Sequence, residues 1–68
     1  MENIALRDTE QLLKATEIAH ILNISRAMAY RLMQLGKIRT VSIGTAKRVR
    51  RKDLRTFIEN NLSPISEV

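Results

Sequence analysis

The fold is decided by residues 16–36, which read TEIAHILNISRAMAYRLMQLG. Thr16 is a good N-cap for a first helix, and Asn23 tolerates the left-handed backbone conformation of a tight turn. Ser25 can cap a second helix. Gly36 can end it, because glycine is the residue type that most often follows the last turn of a helix. The stretch therefore predicts two helices joined by a short turn.

The second helix, predicted over residues 26–35, has two distinct faces. At about 100° per residue, one stripe is apolar and is expected to be buried, and it consists of Ala29, Leu32 and Met33. The opposite face is more polar and cationic, and it carries Ala27, Tyr30, Arg31 and Gln34. In the first helix we expect four side chains to point inward, namely Ile18, Ala19, Ile21 and Leu22.

The periodicity changes after Gly36. Residues 39–43 alternate and contain β-branched side chains, which predicts a strand, and residues 48–50 predict the returning strand. Residues 44–47 supply the turn, and a last helix is predicted over residues 52–60. The expected fold class is mainly α with a small β-hairpin, as in a winged helix-turn-helix: a helix-turn-helix, a two-stranded wing and a C-terminal helix.

The chain has 68 residues, which allows a single domain. We expect residues 1–10 to form an N-terminal arm, residues 11–61 to form the domain, and residues 62–68 to form a flexible tail. Because there is no cysteine and only one histidine, we expect no metal site and no cofactor. The sequence also offers no pairing of a nucleophile with a base, so we do not expect an enzyme. No apolar run reaches the length of a membrane span, and we expect a cytoplasmic protein without membrane contacts.

The formal net charge of +5 is unevenly distributed. Residues 18–52 contain no acidic residue, yet they hold nine of the twelve basic ones. A field of one sign over half a domain attracts polyanions, whereas an ordinary solvated surface mixes charges of both signs. The distribution favours nucleic acid as the partner over an acidic protein or a membrane surface.

The run from residue 12 to residue 61 resembles the small excisionase-type proteins of bacteria, phages and integrative elements. These proteins share a winged helix-turn-helix that is related to the DNA-binding domain of the mercury-resistance regulators. The resemblance is carried by short motifs: Thr16-Glu17-Ile18-Ala19, Ile24-Ser25-Arg26, Tyr30-Arg31-Leu32, Leu35-Gly36-Lys37-Ile38, Ile43-Gly44, Arg48-Val49-Arg50 and Asp53-Leu54.

The resemblance implies that the second helix and the wing bind double-stranded DNA. Together with the charge pattern it gives these candidate DNA-binding residues: Ser25, Arg26, Ala27, Tyr30, Arg31, Gln34, Lys37, Arg39, Lys47, Arg48 and Arg50. Three features depart from the family pattern. Asn23 replaces a usual glycine, Ala27 and Met28 replace small polar residues, and Arg51 stands where proline often precedes the last helix.

Three functions are compatible with these features. An excisionase would bind near an attachment site and direct an integrase, a tyrosine or serine recombinase, toward excision. We would expect such a protein to be a monomer in solution that acts in several copies on DNA. A small transcriptional regulator of a phage or mobile element would use the same surface. A protein-interaction module, such as an antitoxin or an adaptor, would instead use its basic face to bind an acidic partner.

Overall fold

The computed structural model describes residues 11–63. It contains three helices, α1 (Ala15–Leu22), α2 (Arg26–Gln34) and α3 (Arg51–Asn60), and two strands, β1 (Val41–Ile43) and β2 (Ala46–Arg48). This order confirms the predicted fold class. The arm predicted over residues 1–10, and all but the first two residues of the predicted tail, lie outside the described residues, so the predicted domain boundaries stay predictions.

The prediction of Thr16 as the N-cap of the first helix is wrong. The N-cap is Lys14, and α1 begins at Ala15. The backbone N–H of Lys14 donates a hydrogen bond of 2.8 Å to Oε1 of Glu17, which satisfies a group that the start of a helix otherwise leaves without a partner. Thr16 is therefore already helical, and Glu17 completes the helix start from within the first turn.

The turn between α1 and α2 has the predicted chemistry. Asn23 adopts the left-handed conformation, with φ 58° and ψ 48°, and its backbone N–H donates to the carbonyls of Ala19 and His20. Ser25 is the N-cap of α2, and its Oγ accepts a hydrogen bond of 3.1 Å from the backbone N–H of Met28. Gly36 follows the end of α2 with φ 74°, as predicted for a helix terminator.

The hydrophobic core lies where α1 and α2 pack against each other, and it is completed by Ile38 and Val49, which flank the hairpin, and by Leu54 of α3. Two small residues, Ala19 and Ala29, are buried in it and allow the two helices to approach closely. The buried residues are Leu13, Ala15, Ile18, Ala19, Ala29, Met33, Ile38, Val49 and Leu54, with Leu22, Ile24, Leu32 and Phe57 packed against them.

The expectation that Ile21 points inward is wrong, since 48% of this residue is exposed. The buried residues of α1 centre on Ala15, Ile18 and Ala19. At about 100° per residue, Ile21 lies more than a quarter turn away from the middle of that group. It therefore borders the buried face of α1.

The wing is shorter and tighter than predicted. Ile43 pairs with Ala46 across a turn of only two residues, Gly44 and Thr45, so Ala46 and Lys47 belong to β2 rather than to the turn. Gly44 has φ 60°, and a positive φ at the first position of such a turn matches the twist of the flanking strands. Beyond the hairpin, Val49 exchanges two backbone hydrogen bonds with Leu13, of 2.8 and 2.9 Å.

Candidate nucleic-acid interface

The exposed face of α2 forms one continuous surface. Its side chains repeat at spacings of three and four residues, which places them on the same side of the helix. None of them belongs to the core. Together they line a single shallow hollow: Ser25, Ala27, Met28, Tyr30, Arg31 and Gln34. Five of the predicted DNA-binding residues are thus brought together on the side of α2 that faces away from the core.

The wing extends this surface from α2 to the hairpin. Tyr30 and Gln34 share a second hollow with Thr45 and Lys47, so the turn of the hairpin lies beside the later part of α2. The ammonium of Lys47 donates a hydrogen bond of 3.0 Å to Oγ of Ser42, its partner across the hairpin. This bond orients Lys47 and leaves two of its three N–H groups available for another acceptor.

The start of α1 also contributes to this surface, which the sequence did not indicate. A third hollow is lined by Tyr30, by residues 45–48 of the wing and by Lys14, Ala15 and Thr16. The cause is the pairing of Leu13 with Val49, which holds the start of α1 next to the end of β2. Lys14 thereby adds a cation to the surface, although it lies outside residues 18–52, the acid-free stretch. No local pattern indicates a pairing between residues so far apart in the chain.

Four further predicted contacts, Arg26, Lys37, Arg39 and Arg48, lie outside the hollow on α2, and Arg39 is exposed between Ile38 and β1. Arg48 lines the hollow shared with the start of α1, and one of its guanidinium N–H groups donates to the carbonyl of Lys47 at 2.8 Å. Arg26 is exposed at the first position of α2, and Lys37 is exposed just after Gly36. DNA contacts by these residues stay predictions.

Arg50 has a structural role that the sequence did not reveal. It is the N-cap residue of α3, and its guanidinium makes two hydrogen bonds to the carboxylate of Asp53, of 2.5 and 3.1 Å. These bonds hold the pKa of Asp53 below its ordinary value and raise the pKa of Arg50. The nearby charges of Arg39 and Lys52 also lower the pKa of Asp53. A DNA phosphate would have to compete with Asp53 for Arg50.

The described residues are strongly cationic. Residues 11–63 contain eleven basic and three acidic side chains. Two of those acids are already engaged, Glu17 by the backbone of Lys14 and Asp53 by Arg50. The first turn of α2 contains no acidic residue, so nothing there offsets the positive end of the helix dipole. The exposed face of α2 is thus suited to approach a polyanion.

This geometry defines a class of protein. A short helix, a tight turn, a capped second helix with an exposed polar face and a basic hairpin beside it together form a winged helix-turn-helix of the DNA-binding type. A family model described as a helix-turn-helix domain matches residues 12–62, and the chain belongs to this family. The family includes excisionase-like DNA-binding proteins, and membership supports DNA binding. Searches of curated proteins and of solved structures gave no significant match.

None of the helices in residues 11–63 is long and apolar enough to cross a membrane.

Proposed function

We propose that this protein is an excisionase: an architectural protein that binds double-stranded DNA near attachment sites and directs an integrase toward excision. One observation carries the proposal. The exposed face of α2 and the wing form a single cationic surface, yet the side chains after Arg26 in the first turn of α2 are the apolar Ala27 and Met28. Such a surface is better suited to hold a duplex than to distinguish many bases by hydrogen bonds.

In this proposal α2 enters the major groove, which is wide enough for one helix, and the wing contacts the flanking backbone. Arg31 lies at the centre of the exposed face of α2, while Lys47 lies on the wing beside Tyr30. Cations at both places fix the orientation of the domain on the duplex without selecting a sequence.

The small size of the domain favours action in several copies. A single module of this kind buries roughly 600–1,000 Å² of its surface on DNA, which gives modest affinity. Adjacent copies, or contact with the recombinase, would raise the occupancy of the site. We therefore propose a monomer in solution that assembles on DNA, in the cytoplasm of a bacterium, and that leaves the chemistry of strand exchange to the recombinase.

The test is a recombination assay in vitro. We expect an integrase gene beside the gene for this protein. That integrase is incubated with a plasmid that carries the two attachment junctions it recognises, with and without the protein. We expect excision to rise strongly when the protein is added. If the recombinase excises equally well without the protein, the proposed role in excision is wrong. Binding to a promoter fragment without any effect on excision would instead indicate a transcriptional regulator.

Two double variants show whether the proposed surface is responsible. Arg31→Ala combined with Lys47→Ala should abolish the stimulation of excision and strongly weaken duplex binding, while the far-ultraviolet circular dichroism stays unchanged. The control combines Lys52→Ala with Arg55→Ala, which removes the same charge from exposed positions of α3. If both double variants lose the same amount of affinity, net charge rather than this surface determines binding.

A further inference from the structure

The first turn of α2 exposes two apolar side chains toward the face that, in the proposed function, meets DNA. Ala27 is exposed, and Met28 is 47% exposed, although the core of the domain lies on the other side of the helix. Both line the same hollow as Arg31 and Gln34. These side chains are therefore not needed to fill the core, and they are held where a ligand of α2 would lie.

The hydrogen-bonding groups of this turn are partly occupied. Oγ of Ser25 accepts a hydrogen bond from the backbone N–H of Met28. One lone pair of this hydroxyl is therefore used to cap the helix. Recognition helices contact base edges mainly with residues of their N-terminal part. In α2 that part offers, after Arg26, a methyl group and a thioether side chain. Neither can form the bidentate hydrogen bonds that distinguish guanine or adenine.

The major groove contains one apolar group that such side chains can recognise, which is the C5 methyl of thymine. We infer that Ala27 and Met28 contact thymine methyl groups, so that the protein prefers duplexes with thymine in the major-groove segment occupied by the first turn of α2. This inference rests on the proposed DNA-binding function and assigns a base preference to it. Arg31, Lys47 and the other cations supply affinity that does not depend on the base.

The test uses duplexes that differ only in the methyl group. A fluorescein-labelled duplex of mixed A·T sequence is compared with the same duplex in which uracil replaces every thymine, by fluorescence anisotropy at low salt. Burial of one methyl group corresponds to about a fourfold change in affinity. We expect the thymine duplex to bind between about fourfold and 15-fold more tightly. A second pair, a G·C duplex with cytosine or with 5-methylcytosine, should show a preference for the methylated form.

Variants assign the preference to particular side chains. Ala27→Ser combined with Met28→Gln should bind thymine and uracil duplexes with nearly equal affinity. Ile21→Gln is the matched control, because Ile21 is 48% exposed but lies in a hollow beside α3. This control should retain the wild-type ratio.

The outcomes separate this inference from the proposed function. Tight binding of the wild-type protein to both duplexes with equal affinity overturns the methyl preference and leaves DNA binding intact. A preference that persists in the double variant overturns the assignment to Ala27 and Met28. If the wild-type protein binds no duplex at all, the proposed function is wrong and the methyl preference with it. The wild-type comparison needs no variant, so it holds even if the double variant fails to fold.

Discussion

The pair of Arg50 and Asp53 shows how one residue can have a role that its charge alone does not reveal. As a basic residue at the end of the acid-free stretch, Arg50 is a natural candidate for a DNA contact. In the structure its guanidinium donates two hydrogen bonds to the carboxylate of Asp53, in the first turn of α3. The side chain of Asp53 is only 11% exposed, and the ion pair links the N-cap residue of α3 to the first turn of that helix.

This pair predicts a dependence of stability on pH. Since Arg50 lowers the pKa of Asp53 in the folded state, folding favours the ionised carboxylate. The resulting stabilisation is fully present above the unfolded-state pKa of Asp53, about 4, and is lost as the pH falls through the folded-state pKa. Asp53→Asn should therefore be less stable than wild type at pH 7. The difference should shrink as the pH falls below about 4.

Urea denaturation followed by circular dichroism at several pH values between 7 and 3 measures this effect. Glu59→Gln is a suitable control, because it removes one negative charge from an exposed position of the same helix. A stability difference between wild type and Asp53→Asn that stays constant over the whole pH range would contradict the assigned role of the ion pair.

At the scale of the element, α2 combines a capped N-terminus with the proposed DNA-binding surface. Ser25 both caps the helix and lines the hollow on its exposed face. The capping bond satisfies a backbone N–H. Its acceptor can be the oxygen of a hydroxyl, of a carboxylate or of a side-chain amide. These two roles of Ser25 can therefore be separated by choosing substitutions that retain the cap but change the charge.

Ser25→Ala should lower the free energy of unfolding by about 1 kcal/mol, because the backbone N–H of Met28 loses its acceptor. Ser25→Asp should retain nearly the wild-type stability, since aspartate caps helices well and suits the positive end of the dipole. The same aspartate places a negative charge on the proposed DNA surface, so duplex binding should fall much further than in Ser25→Ala. Thermal denaturation and anisotropy measure the two effects. If Ser25→Asp binds DNA as tightly as wild type, the first turn of α2 does not face the duplex.

At the scale of the whole molecule, the cations lie on several elements that the fold brings to one side. Arg31 comes from α2, Lys47 and Arg48 come from β2, and Lys14 comes from the residue before α1. We expect such a distributed surface to contact DNA mainly through phosphates, so that its affinity depends on the salt concentration.

If about four to six cations neutralise phosphates, a plot of log K against log salt concentration should have a slope of roughly −4 to −5. The Arg31→Ala and Lys47→Ala double variant should reduce the magnitude of this slope by about 2, because two phosphate contacts are lost. Anisotropy titrations between low and physiological salt provide the measurement. An affinity that does not change with salt would point to an uncharged mode of binding, or to a protein partner instead of DNA.

The amino-acid sequence by itself determined the helix-turn-helix and the exposed face of α2. Its signals act over three or four residues: the left-handed Asn23, the capping Ser25, the terminating Gly36 and the helical repeat that buries Ala29 and Met33. Interactions of such short range leave a local pattern in the sequence. The absence of acids over residues 18–52 likewise needs no structure to be recognised.

Only the tertiary structure decided how these elements combine into a surface. The pairing of Leu13 with Val49 sets the start of α1 at Ala15 and brings Lys14 beside the wing. Burial of Ile38 and exposure of Ile21 depend on which neighbours each side chain meets. Contacts between residues distant in the chain leave no periodic signal, since their energy depends on a partner that the local sequence does not specify. The helices could therefore be predicted from the sequence, whereas the full extent of the proposed DNA surface depended on long-range packing.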